Sequence, residues 1–151
     1  MAQSGADAVV VPKVDSVDYL DRISAVLDTG GAPDSLAVWA MVETPKAIFE
    51  VRALAAHPRV AVLVMGTNDL VKELRAVPGD GRSTLTPYLA QAVLAAREAG
   101  IAILDGVYNN VRDPDGFRVE AVQGFEMGFD GKTLVHPSQI EPPTRFGRRP
   151  T

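Results

Sequence analysis

Short apolar runs alternate with longer amphipathic ones along this chain. Ala8–Val11, Ala37–Val42, Val60–Met65, 101–104 and 133–135 are too short for helices, and most are rich in valine or isoleucine. They predict strands buried on both faces. Between them, Val17, Leu20, Ile23, Val26 and Leu27 share one helical stripe, as do Ala47, Ile48, Val51, Leu54 and Ala55. Two more stripes follow, Leu89, Ala92, Val93 and Ala96, then Phe117, Ala121, Val122 and Phe125. Asp113 and Pro114 suit an N-cap and first helical position, and Gly100 suits the end of the preceding helix. The stretch 76–87, centred on Pro-Gly-Asp-Gly, reads as a loop, and Trp39 and Phe49 read as core.

Five strands with four intervening helices give a β/α alternation, hence a parallel sheet with right-handed crossovers. Two architectures fit, an open doubly wound sheet or part of a (β/α)₈ barrel. A complete barrel needs at least about 200 residues, so this chain would supply only about five of its eight units.

Composition narrows the function. A chain of 151 residues with 46% hydrophobic and 23% charged residues suits one compact domain. A net charge of −4 without a basic cluster argues against a nucleic-acid surface. Arg145, Arg148 and Arg149 fall in a proline-containing tail that reads as solvated. No cysteine is present, which removes disulfides and thiolate metal sites and suits a cytoplasmic setting. No apolar run is long enough to span a membrane.

Nearly every predicted strand ends in a residue able to do chemistry: Lys13, Glu43, Asp69 after a short turn, Asp105 and His136. In a parallel sheet those ends lie on one side, where both architectures build their sites. Each residue also has a plain structural role open to it. Lys13 suits a solvated strand exit, and Glu43 can complement the N-terminus of the helix near Pro45. Asp69 can cap the helix that follows it, Asp105 can bond the turn at Gly106, and His136 precedes a proline. His57 lies in a helix-to-strand loop on the opposite side and receives no role. The pair is more telling than its members: Glu43 and Asp69 come from adjacent strand ends.

Two carboxylates without cysteine or an HExxH pair suit a hard divalent ion that keeps waters and takes substrate oxygens, Mg²⁺ or Mn²⁺. Such an ion would bind a 2-oxo acid through its carboxylate and carbonyl. Gly66, Thr67 and Asn68 are then the candidates to meet substrate, glycine permitting close backbone approach and the helix start offering N–H groups to an anion. No phosphate loop of the Walker or dinucleotide type is present.

The segments GADAVVVPKVDS, AVWAMVETPKAI, VLVMGTNDLVKEL, ILDGVYNNVRDPDGF and GFDGKTLVHPSQIEP occur in this order. Together, over about residues 5–146, they resemble the citrate lyase beta-subunit-like branch of the HpcH/HpaI aldolase family, the CoA-ester lyases. The resemblance implies a (β/α)₈ barrel, usually a trimer, that binds Mg²⁺ through one Glu and one Asp, here Glu43 and Asp69. It implies cleavage or formation of a C–C bond in a 3-hydroxyacyl-CoA such as malyl-, citramalyl- or citryl-CoA, giving an acyl-CoA and a 2-oxo acid. Some relatives hydrolyse the thioester instead. Asp105, Lys13 and His136, in that order, are the residues expected to assist catalysis.

The resemblance also implies parts that these residues do not supply. Residues 1–146 correspond to the fourth to eighth strands of the family barrel, with 147–151 as a tail. The three preceding units, with a substrate-gripping arginine, and a C-terminal lid are not matched. A free-acid aldolase of 4-hydroxy-2-oxo acids, a truncated inactive remnant and a Mg²⁺-binding receiver-like domain are the competing readings. An open barrel leaves two apolar strand edges, so the isolated chain is expected to self-associate or dissolve poorly. Sedimentation velocity measures this, and a clean monomer counts against it.

Overall fold

The computed structural model describes residues 5–140. The tail assigned to 147–151, with the arginines near it, lies outside the described residues. Five strands, β1 (Ala8–Val11), β2 (Ala37–Val42), β3 (Val60–Met65), β4 (Ala102–Asp105) and β5 (Gly131–Lys132), pair in parallel in chain order. Helices α1 (Val17–Thr29), α2 (Pro45–Ala55), α3 (Thr67–Glu73), α4 (Thr86–Ala99) and α5 (Pro114–Met127) connect them. Doubly wound sheets reverse their strand order at a switch point. The unbroken order β1-β2-β3-β4-β5 does not, so it selects the barrel arrangement and removes the receiver-like reading.

Local signals account for the helix ends. Ser16 caps α1 by accepting from the Tyr19 N–H at 3.3 Å, and Thr44 caps α2 by accepting from Ala47 N–H at 3.1 Å, with Pro45 beginning the helix. Gly100 ends α4 with φ 71°, a conformation open to glycine at little cost. Asp113 Oδ1 accepts from the Gly116 N–H at 2.9 Å to cap α5, and Asp113 Oδ2 accepts from the Tyr108 hydroxyl at 2.7 Å.

The core lies between one face of the sheet and the helices. Val38, Ala40 and Val42 of β2, Leu63 and Met65 of β3, and Ile103 of β4 pack against Ile48, Val51 and Leu54 of α2 and Leu89, Ala92, Val93 and Ala96 of α4. Each fully buried aliphatic side chain contributes roughly 1.5–3 kcal/mol. The expectation of strands buried on both faces is met by β3, where Val62, Leu63, Val64 and Met65 are all buried, and not by β1 or β2: Val10 is 55% exposed and β2 alternates between buried and half-buried positions. No described element covers the second face, which the remaining units of a barrel would enclose. Trp39 lies half-buried on that face rather than in the core.

Other expectations shift too. Phe49 is 84% exposed, because α2 turns Ile48, Val51 and Leu54 toward the sheet. Val26 leaves the α1 stripe, and the predicted loop 76–87 contains a 3-10 turn at Asp80–Arg82 and the start of α4. The fourth strand is displaced by one residue from 101–104. The fifth is Gly131–Lys132 rather than 133–135; the Thr133 N–H, at 2.9 Å, and its hydroxyl, at 3.0 Å, both donate to the Asp105 carbonyl and close the ladder at the end of β4. On the opposite side of the sheet, His57 Nε2 lies 3.3 Å from Asp21 and its Nδ1 accepts from the Arg59 N–H, a structural role. Among the described residues, no helix is long and apolar enough to cross a membrane.

The Tyr108–Asp113 bond gives the fold a pH signature. The tyrosine hydroxyl and then the Gly116 amide hold Asp113 below its ordinary 3.8, while the same bond helps push Tyr108 up to about 12. A depressed carboxyl stabilises the fold above its unfolded pKa and ceases to do so as pH falls through the folded value. A raised phenol stabilises it below about 10 and ceases to do so as pH rises toward 12. Tyr108→Phe is therefore expected to lower the urea midpoint at neutral pH and flatten both limbs of its pH dependence, and an unchanged profile would disprove the coupling.

Candidate active site

At the C-terminal edge of the sheet, a cavity of about 290 Å³ is lined by Val10, Trp39, Met41, Val64 and Leu104 from the strands. Glu43, Gly66, Thr67, Asn68 and Asp69 also line it. Every sequence-predicted metal and substrate candidate thus meets in one place. The ionisable groups among the lining residues are Glu43 and Asp69.

Glu43 follows β2 directly and is only 3% exposed. Its Oε1 accepts from the Lys13 main-chain N–H at 2.7 Å. Burial raises its carboxyl above the ordinary 4.5, the Lys13 amide pulls it back, and the neighbouring Asp69 carboxylate pushes it up again. Gly66 is the reason the Glu43 side chain fits: a Cβ there would run into the Cβ and Oε2 of Glu43. Its own N–H donates to the Val42 carbonyl at 3.0 Å, so glycine supplies room here and its amide does not face an anion. Gly106 does the same for Thr67, whose hydroxyl and methyl occupy the space a Cβ would need.

Asp69 is the third residue of α3, which starts at Thr67 with Gly66 as N-cap and no side-chain cap. The capping role open to it is not taken. Asn68, beside it, exchanges amide hydrogen bonds of 3.1 and 2.7 Å with Asn109, tying α3 to the loop after β4.

Three residues expected to assist catalysis stand elsewhere. Asp105 is 1% exposed and faces away from the cavity. Its Oδ1 pairs with Arg82 Nη1 at 2.6 Å and its Oδ2 with Lys132 Nζ at 3.0 Å. Lys132 also reaches Glu120 and the Gly106 carbonyl, both at 2.6 Å, and Arg82 Nε donates to Gln123 at 2.7 Å. This buried network was not visible beforehand, since single charges scattered through 82–132 carry no spacing signal. His136 is exposed and caps the 3-10 turn Pro137–Gln139 by accepting from the Ser138 N–H at 3.2 Å. Lys13 approaches the site through its backbone, its side chain being outside the cavity lining.

The donor set fits a divalent ion. Two carboxylates, one of them buried, repel each other and gain from a cation between them. Among the described residues no group of three or more His, Cys, Asp or Glu converges. Remaining ligands would be water or substrate oxygens, the pattern of Mg²⁺ rather than of an all-protein cage.

Parallel β/α units in barrel order, with a carboxylate pair at adjacent strand ends, define the class as a barrel enzyme-type domain. The chain belongs to the HpcH/HpaI aldolase/citrate lyase family, whose profile matches residues 1–137. It is 46% identical over 140 residues to a (3S)-malyl-CoA thioesterase of Cereibacter sphaeroides, covering 93% of this chain and 47% of that protein. It is 33% identical over 147 residues to the citrate lyase subunit beta of Escherichia coli, covering 93% and 49%. Among solved structures, the citrate lyase beta subunit of M. tuberculosis in complex with oxaloacetate and magnesium superposes with a TM-score of 0.78 at 26% identity, covering 92% of this chain and 60% of that one. RipC from Yersinia pestis shares the fold with a TM-score of 0.83 at 24% identity, covering 91% and 62%. The chain spans about half the length of the curated relatives it matches.

The Asp105 network is structural, and removing one partner of a buried ion pair costs about 3–5 kcal/mol. Asp105→Ala, which strands Arg82 and Lys132, is expected to lose most of the fold's stability in chemical denaturation. A variant as stable as the parent would return Asp105 to the catalytic candidates.

Proposed function

We propose that Glu43 and Asp69 hold Mg²⁺, with Mn²⁺ as a substitute, and that the site breaks or makes the C2–C3 bond of a 3-hydroxyacyl-CoA of the malyl-CoA type. The observation that carries this is the carboxylate pair of Glu43 and Asp69 in a cavity otherwise lined by apolar and small polar groups. The M. tuberculosis relative described with magnesium and oxaloacetate supports both the ion and a 2-oxo acid ligand.

Bound there, the ion would act as a Lewis acid toward substrate oxygens. In the cleavage direction the 3-hydroxyl loses its proton, the C2–C3 bond breaks with its electron pair passing to C2, and the resulting thioester enolate is protonated there. The products are an acyl-CoA and a 2-oxo acid. Trp39, Met41, Val64 and Leu104 line the cavity, and apolar walls of this kind limit water around a reactive enolate. Thr67 and Asn68 stand beside Asp69 to orient the acid end. Neither Glu43 nor Asp69 is free to act as base while it holds a cation. Among the described residues, the side chains of Asp105, Lys13 and His136 do not line the cavity, which leaves none of these three in place as the base.

Hydrolysis of the same thioester is the second reading, favoured by the thioesterase name of the 46%-identical relative. Both readings share one substrate class and differ in the bond broken. A cytoplasmic setting and assembly into a homo-oligomer, a trimer by the resemblance, accompany either; the exposed Phe49 on α2 supports association.

Calorimetry is expected to show Mg²⁺ binding that Glu43→Ala and Asp69→Ala each weaken by more than about tenfold. Variants that bind like the parent would refute the ligand assignment. With malyl-CoA and Mg²⁺, glyoxylate plus acetyl-CoA marks the lyase, and malate plus free CoA the thioesterase. Turnover by this chain alone is expected to be weak.

A further inference from the structure

β1 pairs with β2 in regular register up to Val11, opposite Ala40. Contact with β2 resumes at Val14, whose N–H donates to the Met41 carbonyl at 3.2 Å. Pro12 and Lys13 are bulged out between these points. Pro12 has no amide proton to give, and Lys13 lies in the left-handed region with φ 51°, a conformation that costs energy for any residue but glycine. Bulges next to sites commonly re-aim a group. Here the group is an amide: turned away from the ladder, the Lys13 N–H donates to Glu43 Oε1 at 2.7 Å.

The other oxygen is treated differently. Oε2 lies over Gly66, in space that only a glycine leaves open. The two oxygens of a buried carboxylate are thus made unequal: Oε1 accepts a main-chain N–H, Oε2 does not, and the Asp69 carboxyl stands within hydrogen-bond reach of the same group.

We infer that the Pro12–Lys13 bulge is a selectivity device for the cation held by Glu43 and Asp69. With Oε1 engaged, Glu43 offers one oxygen, which suits a small six-coordinate ion with near-ideal octahedral geometry. The two-oxygen grip that a larger Ca²⁺ commonly takes from a glutamate is withheld. Lys13 acts in this through its backbone and is a positioning residue. The inference rests on the metal-site reading above and goes beyond it by assigning the choice among ions to a main-chain amide.

The test is calorimetric titration of the full chain with Mg²⁺, Mn²⁺ and Ca²⁺. Replacing the residue-13 amide by an ester deletes the N–H and keeps the lysine side chain. The preference for Mg²⁺ over Ca²⁺ is expected to fall by about tenfold, the usual scale of a partner that orients a metal ligand. Lys13→Gly keeps the N–H and adopts the same φ without strain, so its preference should match the parent. Infrared spectra of the parent supply a measurement that needs no change at position 13. Mg²⁺ should produce a widely separated pair of carboxylate stretches, the mark of single-oxygen ligation, absent from Glu43→Gln. An ester that keeps the parental preference, a Lys13→Gly variant that loses it, or a narrow two-oxygen splitting overturns the inference. A parent that binds Mg²⁺ with a preference indifferent to the N–H fails this inference alone; a parent that binds none of the three ions fails the metal site as well.

Discussion

Strands in this sheet bury one face under helices, so the strict two-residue alternation of a β-strand decides which side chain reaches the site and which does not. Val42 points to the helices, and Glu43, the next residue, lines the cavity. Leu104 lines the cavity, and Asp105, the next residue, points to the helices. Two acidic residues at two strand ends therefore meet opposite fates. One is held beside a second carboxylate with no cation among the described residues that line the cavity, and the other is sealed among Arg82 and Lys132.

Those two environments separate function from structure. A carboxylate that is buried beside another raises its own free energy, a cost that a cation ligand would relieve. A carboxylate that meets two cations and a backbone N–H is already satisfied, and its burial is tolerable because both oxygens have charged partners. Asp105 satisfies this with Arg82, Lys132 and the Gly106 N–H at 2.7 Å. The glycines follow the same division. Gly66 and Gly106 sit where the chain after a strand passes so close to Glu43 and Thr67 that a methyl group has no room, whereas Gly100 serves a turn.

Much of this was legible in the residues. Periodicity located the first three strands, the stripes of α2 and α4 and the caps at Asp113 and Gly100, because each is set by local physics. The pairing of Glu43 with Asp69 was legible because both follow long, unambiguous strands. What escaped was set by distant partners. The fifth strand is set by its pairing of Gly131 and Lys132 with Leu104 and Asp105, and His136 became a cap because Ser138 lies within reach of its ring. Counting strand ends without counting parity placed Asp105 in the site. Phe49 was misread because hydrophobicity alone does not say which side of α2 it occupies.

The ion network around Asp105 has one more consequence, for how this rim of the fold can vary. Arg82 precedes α4, Glu120 and Gln123 belong to α5, and Lys132 belongs to β5, so four segments distant in sequence share one balanced charge cluster. A single change at Asp105, Arg82 or Lys132 removes a charge from a buried pair and leaves its partners unbalanced in the interior. Viable descendants of this rim must alter members in concert or leave them alone. The loop beginning at Gly106, whose carbonyl Lys132 holds, is bound into that same shared history.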